Sequence, residues 1–228
     1  MIGILGAMDI EIDGLKALAT DVTEEVISGK TFILGKIHDK DVVIAKCGIG
    51  KVNAALSAEA MILKYRPTLV INTGVAGSLT RDLSIGDIVI ADNVCQHDFD
   101  TSPLGDPIGL IPEVNLIKIP ADNDAVCKLE GVISKLGLKF LTGTVASGDA
   151  FVASSEKKNF IVSTFGALAC EMEGASIGQV CAVNSVPFAV LRALSDSADE
   201  GSCSDYPAFC RLAAENSISV ISEFIKAD

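Results

Sequence analysis

Short apolar runs alternate along this chain with segments in which apolar residues recur at helical spacing. The runs near Ile2–Leu5, Thr31–Ile37, Val42–Lys46, Leu69–Asn72, Asp87–Ala91, Lys139–Ala146, Ala167–Glu171 and Phe188–Ala193 read as strands. Helical spacing covers Ile10–Leu18, Val52–Tyr65, Asp122–Leu136, Ser155–Thr164, Gly174–Val183 and Pro207–Ile225, with Leu56, Ala60, Ile62 and Leu63 expected on one buried face. Such alternation predicts an α/β architecture, a largely parallel sheet with helices on both sides. Two strands in succession within Thr31–Lys46, with no helix between them, make the sheet mixed. The stretch from Asp92 to Asp122 carries Pro103, Pro107, Pro112 and Pro120 and is the least regular. Long irregular connections of this kind serve a site or a partner contact.

Composition narrows the classes of function. The chain has 228 residues, 49% of them hydrophobic, which is enough to bury a large core in one domain, and no linker divides it. A net charge of −12 repels phosphate backbones and anionic lipid surfaces, so neither nucleic acid nor membrane is an expected partner. Gly174 to Leu191 is uncharged, but Gln179, Asn184, Ser185 and Pro187 make it a buried helix, turn and strand rather than a membrane span. The start MIGIL reads as a strand, not a signal peptide, and the seven cysteines lack CxxC spacing. Reduced thiols and a cytoplasmic location are expected.

Candidate chemistry concentrates near the C-terminus. ALACEMEGAS carries Glu171 and Glu173, and VPFAVLRALSDSAD carries Arg192, Ser195 and Asp196. Apolar strands that expose charge at their carboxyl ends are where open α/β proteins build sites, so a pocket lined by carboxylates is expected. Two apparent nucleotide motifs fail. GIGK at Gly48–Lys51 has Ala45 where a phosphate loop needs its first glycine and Val52 where it needs a hydroxyl, and GILGAM at Gly3–Met8 lacks the dinucleotide fingerprint. Their glycines suit close turns and backbone approach to a small ligand. With only His38 and His97, neither in a ligand-spaced cluster, no metal site is expected. His97 reads as a hydrogen-bonded loop histidine.

The strings GILGAMDIEI, KCGIGKVNAA, INTGVAGSL, IGDIVIAD, VASGDAF, CEMEGA and LRALSDSAD, in this order, resemble those of bacterial 5′-methylthioadenosine/S-adenosylhomocysteine nucleosidases over nearly the whole chain. The resemblance implies a single nucleoside phosphorylase-like domain over residues 1–228, built on a twisted, mixed, partly barrel-like sheet flanked by helices. It also implies a homodimer, a nucleoside substrate, no cofactor, and cleavage of the adenine–ribose bond. Such cleavage builds positive charge on the sugar and negative charge on the base, so carboxylates near the sugar and a proton donor at the base are needed.

By the same resemblance, Asp196 is the acid at the imidazole side of adenine, with Ser195 holding it, and Glu11 accepts a proton from the attacking water. Glu173 binds the ribose hydroxyls and pairs with Arg192. Met8 and Met172 pack against the sugar, while Phe151 stacks on adenine and the Val152 backbone meets the base edge. Ile49, Val75 and Glu171 complete the expected binding set, with Tyr206 as an aromatic lid. Leu104 and Pro112 match positions that close over the 5′ substituent from the neighbouring subunit.

Two residues depart from the family pattern, which often has serine at the place of Val75 and an aromatic at the place of Leu104. Two other readings stay open on the sequence, a purine nucleoside phosphorylase and a non-catalytic nucleoside-binding protein of the same fold. The first needs cationic phosphate ligands, which INTGVAGSL lacks.

Overall fold

The computed structural model describes residues 1–227. Its strands are β1 (Ile2–Gly6), β2 (Thr20–Ile27), β3 (Lys30–Ile37), β4 (Lys40–Lys46), β5 (Leu69–Ser78), β6 (Ile88–Gln96), β7 (Ile119–Pro120), β8 (Phe140–Ser147), β9 (Ala169–Glu171) and β10 (Phe188–Asp196). The helices are α1 (Asp9–Leu18), α2 (Lys51–Tyr65), α3 (Asn123–Leu136), α4 (Ser155–Phe165), α5 (Gly174–Val183) and α6 (Ser202–Ala227). All ten strands join one mixed sheet in the order β10-β6-β8-β9-β5-β1-β4-β3-β2, with β7 beside β6. Because β10 also pairs with β5, the strands β5, β10, β6, β8 and β9 close into a barrel, and β1 to β4 extend from it as an open wing.

Alternation along the strands feeds two apolar layers. From β1, Ile2 and Ile4 face the layer that contains Ile12 and Leu15 of α1, Leu129 and Ile133 of α3 and Ile221 and Phe224 of α6. Leu5 faces the opposite layer, against Ala54, Ala58 and Met61 of α2 and Ala175, Ile177 and Cys181 of α5. Each large side chain withdrawn from water contributes about 1.5–3 kcal/mol, so these layers fix the sheet from both sides. Caps set the helix starts: Asp122 accepts the Ala125 N–H (2.9 Å) and Ser154 accepts the Lys157 N–H (3.3 Å).

Four expectations are corrected. β2 is an additional edge strand, overlooked because TDVTEEVI has mostly exposed, charged positions and no apolar face to read. β5 runs on to Ser78 and β10 to Asp196, past the ends expected at Asn72 and Ala193. The last helix begins at Ser202 and carries Pro207 inside it. On α2 the buried residues are Ala54, Ser57, Ala58, Met61 and Ile62, whereas Leu56 and Leu63 lie exposed with Val52. Among the described residues no helix is long and apolar enough to cross a membrane.

Candidate active site

The closing of β5 against β10 brings the chemistry together. In register, Arg192 of β10 lies beside Gly74 of β5 and Asp196 beside Gly77, with a bulge between Leu194 and Asp196 that turns the last acid toward the barrel mouth. Next to them, β9 delivers Glu171 and passes directly through Met172 and Glu173 into α5. These residues line a cavity of about 450 Å³ whose walls include Met8, Glu11, Ile49, Val75, Phe151, Met172, Glu173, Ser195, Asp196 and Tyr206. A side niche of about 30 Å³ adds Ala150 and Val152. No lysine, arginine or histidine lines the main cavity among the described residues.

Glu11 sits in the first turn of α1 yet points into the barrel and is 4% exposed. Its Oε2 accepts the N–H groups of Ala7 (2.7 Å) and Met8 (2.9 Å), and its Oε1 accepts that of Val75 (3.0 Å). The turn after β1, Ala7 and Met8, therefore serves this carboxylate with its amides. An sp² oxygen has two lone pairs, so Oε1 retains one for an incoming donor while Oε2 is fully used. Burial pushes the Glu11 carboxyl above the usual range, against the Arg192 charge and the three amides. Asp9, in the same first turn of α1, is exposed and bonded to Lys46 (2.7 Å), and it too meets the helix dipole favourably.

Glycine at position 74 is a requirement of that carboxylate. A Cβ there would overlap Glu11 Oε1, and three amides stop Glu11 from yielding. Gly74→Ala is therefore expected to lower kcat/KM by about 100-fold through displacement of Glu11. An unchanged value in steady-state assays of the folded variant would contradict this geometry.

Arg192 is the largest fully buried side chain, and it sits behind the cavity wall. It was expected to orient Glu173, but its close partners are Glu171 and Asn72, through Nη2, with Glu173 at 3.9 Å. Its role is thus to hold the acids rather than to touch a ligand. Glu171 lines the cavity but is bonded inward, to the Ser147 hydroxyl, Arg192 and the N–H groups of Glu173 (3.1 Å) and Gly174 (2.8 Å). Burial pushes its carboxyl up, but Arg192 and these hydrogen bonds outweigh burial and hold it below the usual range.

Glu11, Glu171 and Glu173 share this one guanidinium, so full ionisation would leave three negative charges against one positive, buried. Glu173 yields: burial first, then the Glu171 charge, push it up to about 8, although Oε1 accepts the Gly50 N–H (2.8 Å). A carboxyl raised in the folded state favours folding below its unfolded value of 4.5, and that contribution is lost as pH rises through about 8. Glu173→Gln should therefore gain on wild type in Tm as pH increases from about 5 to about 9. A Tm difference that stays flat across this window would contradict the protonated state.

Asp196 is 2% exposed. Its Oδ2 accepts the Ser195 hydroxyl (2.9 Å) and its Oδ1 the Ala198 N–H (2.9 Å). A Cβ at Gly77 would lie 2.9 Å from Oδ1, so here again a strand glycine makes room for an acid. Phe151 and Tyr206 meet edge to face at 5.6 Å at the cavity mouth, and the Tyr206 hydroxyl donates to Met8 Sδ (3.1 Å).

Leu104 and Pro112 do not join this cavity; both lie exposed on the proline-bearing connection. The structure adds Cys203, Ala76, Cys170 and Gly77 to the wall, of which apolar patterning gave no sign. GIGK also reaches the cavity: Ile49 lines it and Gly50, at φ 95°, turns its amide onto Glu173. His97 lies in the turn after β6, its backbone N–H donating to the Ser147 carbonyl (2.9 Å), but its ring departs from the expectation. It is 2% exposed, burial holds its pKa below the usual value, and neither ring nitrogen has a partner among the described residues.

The sequence profile of the phosphorylase superfamily matches residues 1–226. A 5′-methylthioadenosine/S-adenosylhomocysteine nucleosidase of Staphylococcus haemolyticus is 40% identical over 227 residues, 99% of each chain. An aminodeoxyfutalosine nucleosidase of Helicobacter pylori is also 40% identical, over 98% of this chain and 97% of its own. In three dimensions the chain is similar to the Neisseria meningitidis 5′-methylthioadenosine/S-adenosylhomocysteine nucleosidase crystallised with methylthio-immucillin-A. The TM-score is 0.97 at 34% identity, covering 100% of this chain and 99% of that one.

Proposed function

Since the chain belongs to the phosphorylase superfamily and, within it, to the 5′-methylthioadenosine/S-adenosylhomocysteine nucleosidases, we propose that it hydrolyses the N-ribosidic bond of these nucleosides. The products are adenine and the 5′-substituted ribose. The observation that carries hydrolysis over phosphorolysis is the cavity wall, which presents Glu11, Glu171, Glu173 and Asp196 and no cationic side chain among the described residues. Phosphate entering such a cavity would meet like charge with no guanidinium or ammonium to pair with, whereas neutral water would not.

In this reading the base lies at the Phe151–Val152 end, with Phe151 stacked on it, the Val152 backbone at its edge and Asp196 donating a proton to its imidazole-side nitrogen. That proton neutralises the electron pair leaving with the base. Water attacks the anomeric carbon and gives its proton to the free lone pair of Glu11 Oε1, a carboxylate made more basic by burial. Glu173 takes the ribose hydroxyls, and Met8 and Met172 pack on the sugar. Val75 contributes through its backbone, since its amide fixes Glu11 where a serine hydroxyl would otherwise help to place the water. The combination of acid, base and ribose ligand in one cavity supports an enzyme over a binding protein.

The 5′ group leaves the cavity past Ile49 and Tyr206. We place Leu104 and Pro112 of a second copy of this chain over it, in a homodimer. Their exposure away from their own cavity supports this, as does the open apolar strip Val52, Leu56 and Leu63 beside Ile49. Light scattering should give twice the chain mass, and a monomer with full activity would contradict the shared site. The seven free thiols support a cytoplasmic, reducing setting.

Specificity follows from the apolar wall. In competition assays kcat/KM should be higher for 5′-methylthioadenosine, S-adenosylhomocysteine and 5′-deoxyadenosine than for adenosine, whose 5′ hydroxyl would lose water without gaining a partner. Equal or better turnover of adenosine would overturn the assignment of that wall. An aminofutalosine belongs in the same panel, because it shares the adenine and ribose.

A further inference from the structure

Three segments meet through side chains that do not line the cavity: Lys51 at the start of α2, Asp98 after β6 and Asp149 in the loop after β8. Lys51 Nζ donates to Asp98 Oδ1 (2.7 Å) and to Gln96 Oε1 (3.0 Å). Asp98 Oδ2 accepts the Asp149 N–H (2.8 Å), and Asp149 Oδ1 accepts the Lys51 N–H (2.7 Å). These bonds close a ring through Lys51, Asp98 and Asp149. At one side of the ring, the neighbouring Gly50 amide is the donor to Glu173, and the Ser176 hydroxyl on α5 donates to the Lys51 carbonyl (2.6 Å). At the other side, Asp149 leads through Ala150 into Phe151 and Val152.

The packing around the ring is equally specific. A Cβ on Gly50 would stand 3.0 Å from Asp149 Oδ1, and one on Gly148 would overlap the His97 ring. The buried imidazole, with no polar partner of its own among the described residues, thus packs directly on the Gly148 backbone. The Lys51 and Asp98 side chains are only 18% and 27% exposed. A partly exposed ion pair adds little stability by itself. What this one does is tie the start of α2 to the ends of β6 and β8, which pair with each other up to Gln96 and Ser147.

We infer that Asp98, with Lys51 and Asp149, is a positioning group for the reaction. The ring keeps the Gly50 amide on Glu173 and the Phe151–Val152 segment in one register, so that the ribose end and the base end of the site are set together. The inference rests on the nucleosidase reading for the identity of those two ends.

The test uses the full-length protein with Asp98→Asn, Lys51→Met, the double variant and Lys51→Arg. Each single variant should lower kcat/KM on 5′-methylthioadenosine roughly tenfold or more, in kcat as well as KM. The double variant should be no worse than either single one, because one ring is broken in all three, and Lys51→Arg should recover most of the loss. Loss of the Gly50 bond should also move the Glu173 limb of the pH profile upward from about 8. Variants with wild-type kcat/KM, or additive losses with an unmoved pH limb, would overturn the inference. Should wild type release no adenine at all, the nucleosidase reading falls, and adenine affinity by calorimetry decides the ring. Roughly tenfold weaker binding by Asp98→Asn supports it, and equal binding overturns it.

Discussion

Asp196→Asn should lower kcat on 5′-methylthioadenosine by about 10³-fold while leaving KM within a few fold, because a positioned general acid is worth about 10²–10⁴. The geometry makes the substitution clean. Asparagine matches aspartate in shape, its carbonyl can still accept the Ala198 N–H, and its amide can donate to the Ser195 oxygen, which both accepts and donates. The strand glycine at 77 that leaves room for the acid leaves room for the amide too. What disappears is the proton for the leaving base, so the chemical step slows and binding survives. Adenine release followed under saturating substrate measures this directly. A variant that keeps nearly all of its kcat would remove Asp196 from the acid's role.

Glu11→Gln should be as damaging to turnover, about 10³-fold in kcat, and should also destabilise the fold. The carboxylate is met by three amide donors, two on Oε2 and one on Oε1. A glutamine must turn its own NH₂ toward one of those sets, burying donor against donor at a cost of about 1–3 kcal/mol. Tm should fall by several degrees for a chain of this size. The pH profile carries a third consequence. The Glu11 charge is one of the influences that raise Glu173, so its removal should shift the Glu173 limb to lower pH. Loss of kcat with an unmoved Tm would show that the amides do not fix Glu11, and an unmoved limb would separate the two glutamates.

Much of this arrangement was legible in the chain because apolar patterning dominates both layers of the core. The acids at the ends of β9 and β10 stood out for the same reason, as charge placed directly after a buried strand. The length of β5 was not legible. Gly74 and Gly77 look like turn residues, and only the side chains of Glu11 and Asp196, arriving from distant elements, explain why a strand needs bare Cα atoms there. The same limit applies to Arg192, whose bonds to Glu171 and Asn72 depend on which acid the β8–β9 pairing carries closest. GIGK lacks the residues of a phosphate loop, yet its Gly50 amide serves a carboxyl group of the protein itself. In α2, spacing alone could not tell the stripe that meets the sheet from the one left open, since both are apolar.

The fate of the sugar separates hydrolysis from phosphorolysis most directly. Incubating the protein with 5′-methylthioadenosine in the presence and absence of inorganic phosphate, and identifying the sugar by mass, makes the distinction in one measurement. The cavity, lined by four acidic side chains and by no cationic one among the described residues, predicts free 5-methylthioribose and adenine at a rate that phosphate does not increase. A phosphate-dependent rate with 5-methylthioribose 1-phosphate as the product would contradict it.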